Sequence, residues 1–359
     1  MVAQINMEEF YPAPWPENVP TIELEKISMR KLMELDEEEC ARVFRICTSE
    51  GFFYLDMLDH PKGREMYENA CLACQVGRDV FPHKTVEEKR TYMKRPELGV
   101  FDRGYFTQFV DKDGLAMFTE YINIPQWEML TSEKTDFELP PWLAPHANSF
   151  KETLESGNMV ANVVLSVLEK ELKLPTGTFT DMHQLYDSSS DFLRVLRYPG
   201  AKPGNQDPLG FPAHKDATSV SILFTWLGGL QITKKDAMTA QGAESEENWL
   251  WVKPMPGCAI VNLGDAMEVF TNQVLKSGKH RVVKAPGAQK PFDKYSVLIG
   301  TRPKNDVLMK PLSSPVIPQA ETNGNGAAPA VLTSKDWGAM KVRMVGEAMA
   351  KHAKKEAVY

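Results

Sequence analysis

The sequence predicts a mainly β protein with flanking helices: a β core, a helical N-terminal layer and a C-terminal helix. Three observations carry that prediction. After residue 175 the chain breaks into short apolar runs, each bounded by Gly, Pro, Asn or Asp, which is the texture of an all-β sandwich or barrel. Before residue 175, apolar residues recur at helical spacing in several stretches. After residue 330 a last helical stretch follows a low-complexity segment. Helices first and strands later fit either two domains or one helical layer packed on one β core. The boundaries fall at 1–174 for the N-terminal helical and mixed region packed on the core, 175–318 for the β core, and 319–359 for a linker and the C-terminal helix.

In chain order, residues 1–20 are Pro-rich and read as extended, and VPTIEL (19–24) reads as a short strand. LDEEECARVFRICTSEGFFYL reads as a helix through Val43, Phe44 and Ile46, ended by Gly51, then a β-like FFYL run. Residues 61–95 read as helical, with Glu87, Glu88 and Lys89 on a solvated face. The stretch 96–147, rich in Gly, Pro and aromatics, reads as loops with short pieces of order. Residues 149–173 form a long amphipathic helix carrying Met159, Val163, Val164 and Val167. The β runs are FLRVLRY (192–198), SVSILFTWL (219–227), LQIT (230–233), WLWVK (249–253), CAIVNLG (258–264), HRVVKA (280–285) and YSVLIGTRP (295–303). The Glu- and Gln-rich segment 234–248 reads as a solvated hairpin loop, and 319–330 as a mobile linker. The final helix, about 334–355, is basic near its end, which suits a helix C-terminus.

Composition narrows the function classes. The 359 residues hold 41 Lys plus Arg against 48 Asp plus Glu, a formal net charge of −7. That lacks the basic field of a nucleic-acid binder. No run of about 18 apolar residues exists, so no spanning helix is expected. The start MVAQINMEEFYPAPWP lacks a secretory layout, and a cytoplasmic location follows as an expectation. The five cysteines form no even disulfide framework. Cys71 and Cys74 make a CxxC, but it lies in an amphipathic helical stretch with no second ligand pair nearby, so both read as buried helix thiols.

The sharpest local feature is FPAHKDATSVSILF. His214 and Asp216 are two apart, so on an extended strand both side chains share a face. Imidazole and carboxylate bind a borderline divalent metal well, and a facial site with two histidines needs a second His from a distant strand. His280, at the start of a later β run, is the best third ligand. A lone H-x-D is common in surface turns; the piece PGCAIVNLGDAMEVFTN before SGKHRVV supplies the context that raises this one. His60, His83, His146, His183 and His352 have no such spacing and read as structural or surface residues.

The ordered blocks LRVLRYP, AHKDATSVSILF, GGLQI, WVKPMPGCAIVNLGDAMEVFTN, SGKHRVV and DKYSVLIGTRP, with VPTIEL and CTSEGFFYL upstream, resemble the isopenicillin-N-synthase-like branch of the Fe(II)/2-oxoglutarate-dependent dioxygenases. The resemblance covers about residues 19–303. It implies a double-stranded β-helix, or jelly roll, with buttressing helices, and His214, Asp216 and His280 as iron ligands. It implies Fe(II), 2-oxoglutarate as cosubstrate and O2, and a small substrate of specialised metabolism oxidised by hydrogen-atom abstraction. Hydroxylation, desaturation or ring formation would follow, with succinate and CO2 released. The family's Arg-x-Ser is Lys294-Tyr295-Ser296 here: the positive charge stays and the planar fork is lost. Tyr198 matches a family tyrosine that donates to the cosubstrate, whereas the Asn common two positions earlier is Leu196. Arg197 reads either as structural or as a pocket residue. Two other readings stand beside this one: an Fe(II) oxidase of the isopenicillin N synthase type that needs no 2-oxoglutarate, and a non-catalytic small-molecule binder on the same fold. Substrate candidates are Arg103, Tyr105 and Phe224, with Phe101, Phe106, Tyr121, Asn123 and Trp226 as further lining candidates. Arg103 beside aromatics would suit an acidic or amino-acid-like substrate. The final helix is a candidate lid.

Overall fold

In the computed structural model, which describes residues 7–92, 102–107, 119–201, 210–233, 245–319 and 330–356, regular structure begins with strand β1 (Lys26–Ser28) and helices α1 (Met29–Met33) and α2 (Glu37–Cys47). Asp36 caps α2 by accepting from the Glu39 N–H at 3.0 Å. Gly51, at φ +70°, then turns the chain into β2 (Phe52–Asp56). A Cβ there would lie 2.3 Å from the Lys276 carbonyl oxygen, so only glycine fits. Helix α3 (Pro61–Val80) starts on a proline, and His60 Nδ1 accepts from the Lys62 N–H at 3.2 Å. Cys71 and Cys74 are buried free thiols on α3, and burial pushes the Cys71 thiol up to about 12. Thr85 and Glu88 form a capping box on α4 (Val86–Arg90).

Strands β3 (Gly104–Thr107) and β4 (Glu120–Pro125) and helix α5 (Gln126–Leu130) follow, inside the stretch expected to be mostly loop. Every residue of β4 is buried, so it lacks the in–out alternation that marks a half-buried strand. The long helix α6 (Ala147–Glu171) matches its prediction closely. Then come β5 (Phe192–Tyr198), β6 (Phe211–His214), β7 (Val220–Thr225), β8 (Leu230–Thr233), β9 (Trp249–Trp251), β10 (Cys258–Leu263), α7 (Asp265–Phe270), β11 (His280–Val282), β12 (Lys294–Thr301) and α8 (Ser334–Glu356). All seven predicted β runs after residue 175 contain a strand. The strand expected at 19–24 is reduced to one bridge, Thr21 to Trp251. Phe101, the stretch 234–244 of the expected hairpin loop, the linker residues 320–329 and the side chain of His352 lie outside the described residues.

The strands form an eight-stranded sheet, β1-β2-β10-β7-β12-β5-β4-β3, facing a four-stranded sheet, β6-β11-β8-β9. Their antiparallel core is the double-stranded β-helix. The first 174 residues supply four strands of the larger sheet, so they share it with the strands that follow.

Alternation sorts each central strand between two environments. Val195 on β5, Ile222 and Phe224 on β7, Val261 on β10 and Val297 and Ile299 on β12 face α3 and α6 in the main apolar core. Their neighbours Leu196 and Tyr198, Leu223, Asn262, Ser296 and Leu298 face the smaller sheet and line a cavity. Small residues let the helices sit close to the sheet: a Cβ on Gly77 of α3 would lie 2.6 Å from Val195 Cγ1, and one on Gly157 of α6 would lie 3.0 Å from Ile299.

One expectation is overturned here. Lys89 is fully buried, not solvated: its Nζ lies 2.6 Å from Glu120 Oε2 and donates to the Phe81 carbonyl at 3.0 Å. Glu120, itself fully buried, also takes Arg197 Nη1 at 2.8 Å and the Tyr105 hydroxyl at 2.6 Å. The Glu87-Glu88-Lys89 run looks polar in sequence, yet the helical turn aims the third side chain at an acid on a strand 31 residues away.

Candidate metal centre and cavity

The centre is built where the two sheets face each other. The end of β6 carries His214 and the start of β11 carries His280, and the two are register partners. Their ring centroids lie 4.2 Å apart. Asp216 Oδ1 is 3.5 Å from His214 Nε2 and 3.7 Å from His280 Nε2. One ligand atom from each of the three residues lies within 4.8 Å of the others.

Asp216 is not on a strand, as the pleat argument expected, because β6 ends at His214. Two hydrogen bonds aim it instead. Oδ2 accepts from the Ser221 hydroxyl at 2.8 Å and from the Asn262 amide at 2.9 Å. The Asp216 carbonyl accepts from the Asp265 N–H at 2.8 Å, which pins the turn to the start of α7. Oδ1 is thereby left to face the imidazoles. His214 Nδ1 lies 2.9 Å from the Pro212 carbonyl and His280 Nδ1 3.2 Å from the Gly278 carbonyl. A carbonyl can only accept, so each Nδ1 carries the proton and each Nε2 offers a lone pair. Phe52 packs edge-on to His280 with centroids 5.7 Å apart.

Electrostatics fit a cation. Burial lowers the His280 imidazole to about 4, so it is neutral at pH 7. Burial acts to raise the Asp216 carboxyl, but His280, His214 and the Asn262 amide outweigh it and hold the group well below the usual carboxylate range. Two imidazole nitrogens and one carboxylate oxygen, grouped on one side, are a donor set for a divalent metal with open positions opposite.

The cavity runs from this cluster along β5 and β12. At its far end Lys294 is the register partner of Tyr198, with Nζ 4.7 Å from the ring centroid. Lys294 is only 3% exposed, and its amine has no hydrogen-bond or ion-pair partner among the described residues. Burial lowers its amine to about 7. Ser296 faces the same cavity and donates to Thr225 Oγ1 at 3.1 Å. Leu196, the register partner of Ser296, lines the same wall.

The structure therefore brings His214, Asp216, His280, Tyr198, Lys294 and Ser296 to one cavity. It does not bring the three substrate candidates there. Arg103 is tied to Asp136 by two contacts of 3.2 Å. Tyr105 spends its hydroxyl on Glu120 within the core. Phe224 points to the helix side and packs edge-on to Tyr67 at 5.7 Å, because Ser221 must face Asp216 and alternation then sends even-numbered residues of β7 the other way. Trp226 donates to the Tyr67 hydroxyl at 3.2 Å on that same side. Arg197 is structural, held by Glu120 and by Asp293 at 2.7 Å. Phe106 and Tyr121 do reach the cavity side: they stack at 5.0 Å and join the cluster around Tyr198. His183 is structural, as expected, buried between the Phe179 carbonyl and Ser219.

Three residues that sequence reasoning missed stand out. Ser221 and Asn262 orient Asp216; a lone Asn inside the apolar run CAIVNLG was the available signal. Arg194 lines the cavity, and its signal was the period of two that links it to Leu196 and Tyr198. The C-terminal helix α8 packs beside β6, with Trp337 buried and Lys341 Nζ 2.6 Å from Asp265 Oδ2.

Known proteins resemble this chain in sequence and in fold. Residues 190–299 match the family model of the 2OG-Fe(II) oxygenase superfamily. The chain is 45% identical over 347 residues to a 2-oxoglutarate-dependent dioxygenase of Aspergillus fumigatus, covering 94% of this chain and 90% of that one. Among solved structures, a full-length Neurospora crassa protein in complex with alpha-KG superposes with a TM-score of 0.69 at 19% identity, covering 91% of this chain and 100% of that one. JOX2, solved with 2OG, Fe and JA, gives a TM-score of 0.61 at 22% identity and 86% coverage of each chain. At those identities the likeness speaks for the fold.

Proposed function

The chain belongs to the 2OG-Fe(II) oxygenase superfamily, and from that premise we propose that His214, Asp216 and His280 hold the iron while Lys294, Tyr198 and Ser296 hold 2-oxoglutarate. The protein is a non-haem Fe(II)/2-oxoglutarate-dependent dioxygenase. We further propose a small molecule of specialised metabolism as its substrate. The observation that carries the metal assignment is the shared aim of three ligand atoms whose other polar atoms are already engaged.

When bound, iron with 2-oxoglutarate and O2 supplies the oxidising power for hydrogen-atom abstraction from the substrate, with succinate and CO2 released. The protein does the rest. Ser221 and Asn262 keep Asp216 from rotating, so its Oδ1 stays aimed at the site. The Pro212 and Gly278 carbonyls fix both imidazole tautomers. Lys294 is a buried amine lacking an anionic partner among the described residues, which suits the distal carboxylate of the cosubstrate as a point charge. The Ser296 hydroxyl beside it, which donates to Thr225 Oγ1, would turn from Thr225 to donate to the same group. Leu196, Leu223, Leu298 and Val282 keep the cavity wall apolar and strengthen each charge interaction inside it.

The test is an anaerobic titration of metal-free protein with Fe(II) and then 2-oxoglutarate, followed in the visible spectrum. A charge-transfer band that grows and saturates is expected. Asp216→Ala should abolish it, and Lys294→Ala should weaken 2-oxoglutarate at least tenfold, the scale of one lost charge-assisted bond. A band unchanged in Asp216→Ala would remove the metal assignment.

A further inference from the structure

Lining the cavity is a second cation that the iron and cosubstrate do not use. Arg194 sits on β5, on the same face as Leu196 and Tyr198. Its guanidinium carbon lies 4.4 Å from the Tyr121 ring centroid and 4.6 Å from that of Phe192. Its Nε donates to Asn123 Oδ1 at 2.7 Å. That single bond fixes the plane of the group, and no acceptor among the described residues takes either Nη. The contrast with other arginines is sharp. Arg197 is engaged by Glu120 and Asp293, Arg103 by Asp136, and Arg281 by Glu246. Among the described residues, Arg194 is a clamped fork with its prongs free.

Charge balance says what the fork meets. Asp216 is the one acid among the residues lining the cavity. On the assignment proposed above, on which this inference rests, Fe(II) and protonated Lys294 bring three positive charges, and Asp216 with 2-oxoglutarate bring three negative ones. Arg194 is left over. Distance separates the two cations as well. Arg194 pairs in register with Leu298 and Lys294 with Tyr198. Those rungs are four residues apart, about 13 Å along the strands.

We propose that Arg194 is the substrate-anchoring residue and that the substrate is a small carboxylic acid with an apolar or aromatic body. The carboxylate takes the two free Nη prongs in bidentate fashion. The body lies along Leu196, Tyr198, Phe211, Val282 and Leu298, the apolar walls of the same cavity. The Tyr121 and Phe192 faces hold the guanidinium in place before any ligand arrives, so little side-chain entropy is lost on binding. The acidic substrate that Arg103 suggested in sequence is thus reassigned to a different arginine.

The experiment uses full-length protein loaded anaerobically with Fe(II) and 2-oxoglutarate. Phenylacetate, 3-phenylpropionate and 4-phenylbutyrate are titrated by calorimetry, each beside its primary amide. At least one acid is expected to bind ten times or more tightly than its amide. In Arg194→Gln that preference should vanish while the 2-oxoglutarate band stays. Arg194→Lys, which keeps charge without the fork, should bind the same acid several-fold more weakly than the parent and still prefer it to the amide; this variant decides the matter if Arg194→Gln does not fold. No acid preference in the parent, or full preference in Arg194→Gln or Arg194→Lys, would overturn the proposal. So would loss of the band in Arg194→Gln with the band retained in Arg194→Lys, because Arg194 would then serve the cosubstrate. Absence of the band in the parent protein is a separate result, and it would count against the iron and cosubstrate assignment instead.

Discussion

Lys294 sets a pH dependence that an arginine in its place would not. Its amine is lowered to about 7 by burial, so it is mostly charged below that pH and mostly neutral above it. A bound carboxylate favours the charged form and raises the pKa in the complex. On the proposed cosubstrate role, affinity for 2-oxoglutarate should therefore be flat below about pH 7 and fall about tenfold per pH unit above it, the slope for one linked proton. Lys294→Arg should flatten the profile, and the Kd measured from pH 6 to 9 checks it. At this scale much was legible in the sequence. His214, Asp216 and His280 were chosen from residue type and context, and Lys294 from its place in an ordered block, and all four meet at one cavity. Arg103, Tyr105 and Phe224 lie outside the cavity: Arg103 precedes β3 and pairs with Asp136, while Tyr105 and Phe224 were chosen for chemistry without asking which face of the strand each occupies. Arg194 was passed over for want of the same question, although the spacing Arg194, Leu196, Tyr198 already placed it on the face of Tyr198.

Elements position these residues through close approach of helix to sheet. Gly77 of α3 sits close against Val195 of β5, the strand that presents Arg194 and Tyr198. Gly77→Ala forces a methyl to within 2.6 Å of Val195 Cγ1, and it should cost about 1–3 kcal/mol of stability, the usual range for overpacking. Urea denaturation monitored by tryptophan fluorescence reads this directly. Strands bounded by turn residues and helices of many turns were legible, because both periods are long enough to count. Strands β3 and β4 were not. The first has four residues, and the second is buried along its whole length and carries Glu120 and Asn123 inside. Polar residues in a buried strand look like loop until their partners, Lys89 and Arg194, are seen.

Across the molecule, Glu120 joins α4, β3 and β5 through Lys89, Tyr105 and Arg197. Glu120→Gln leaves two cations short of a buried counter-charge, a loss of about 3–5 kcal/mol for a broken buried pair. A lower midpoint in thermal unfolding checks that, and Glu120→Asp should lie between the two. The charge census in the sequence could not show this, since it counts ions without pairing them.

The order of strands in the larger sheet has a consequence in time. β2 lies between β1, nearby in sequence, and β10, some two hundred residues later. During synthesis β2 waits with an open edge, a template for the wrong partner, until the ribosome has delivered β10 and with it Asn262. The last histidine of the centre comes later still. The oxidant's pocket is thus absent throughout most of translation, and loop closure over such spans makes folding slow. Chains released after residue 250 should aggregate where full-length chains stay in the supernatant, a difference that sedimentation of translation-arrested products would reveal.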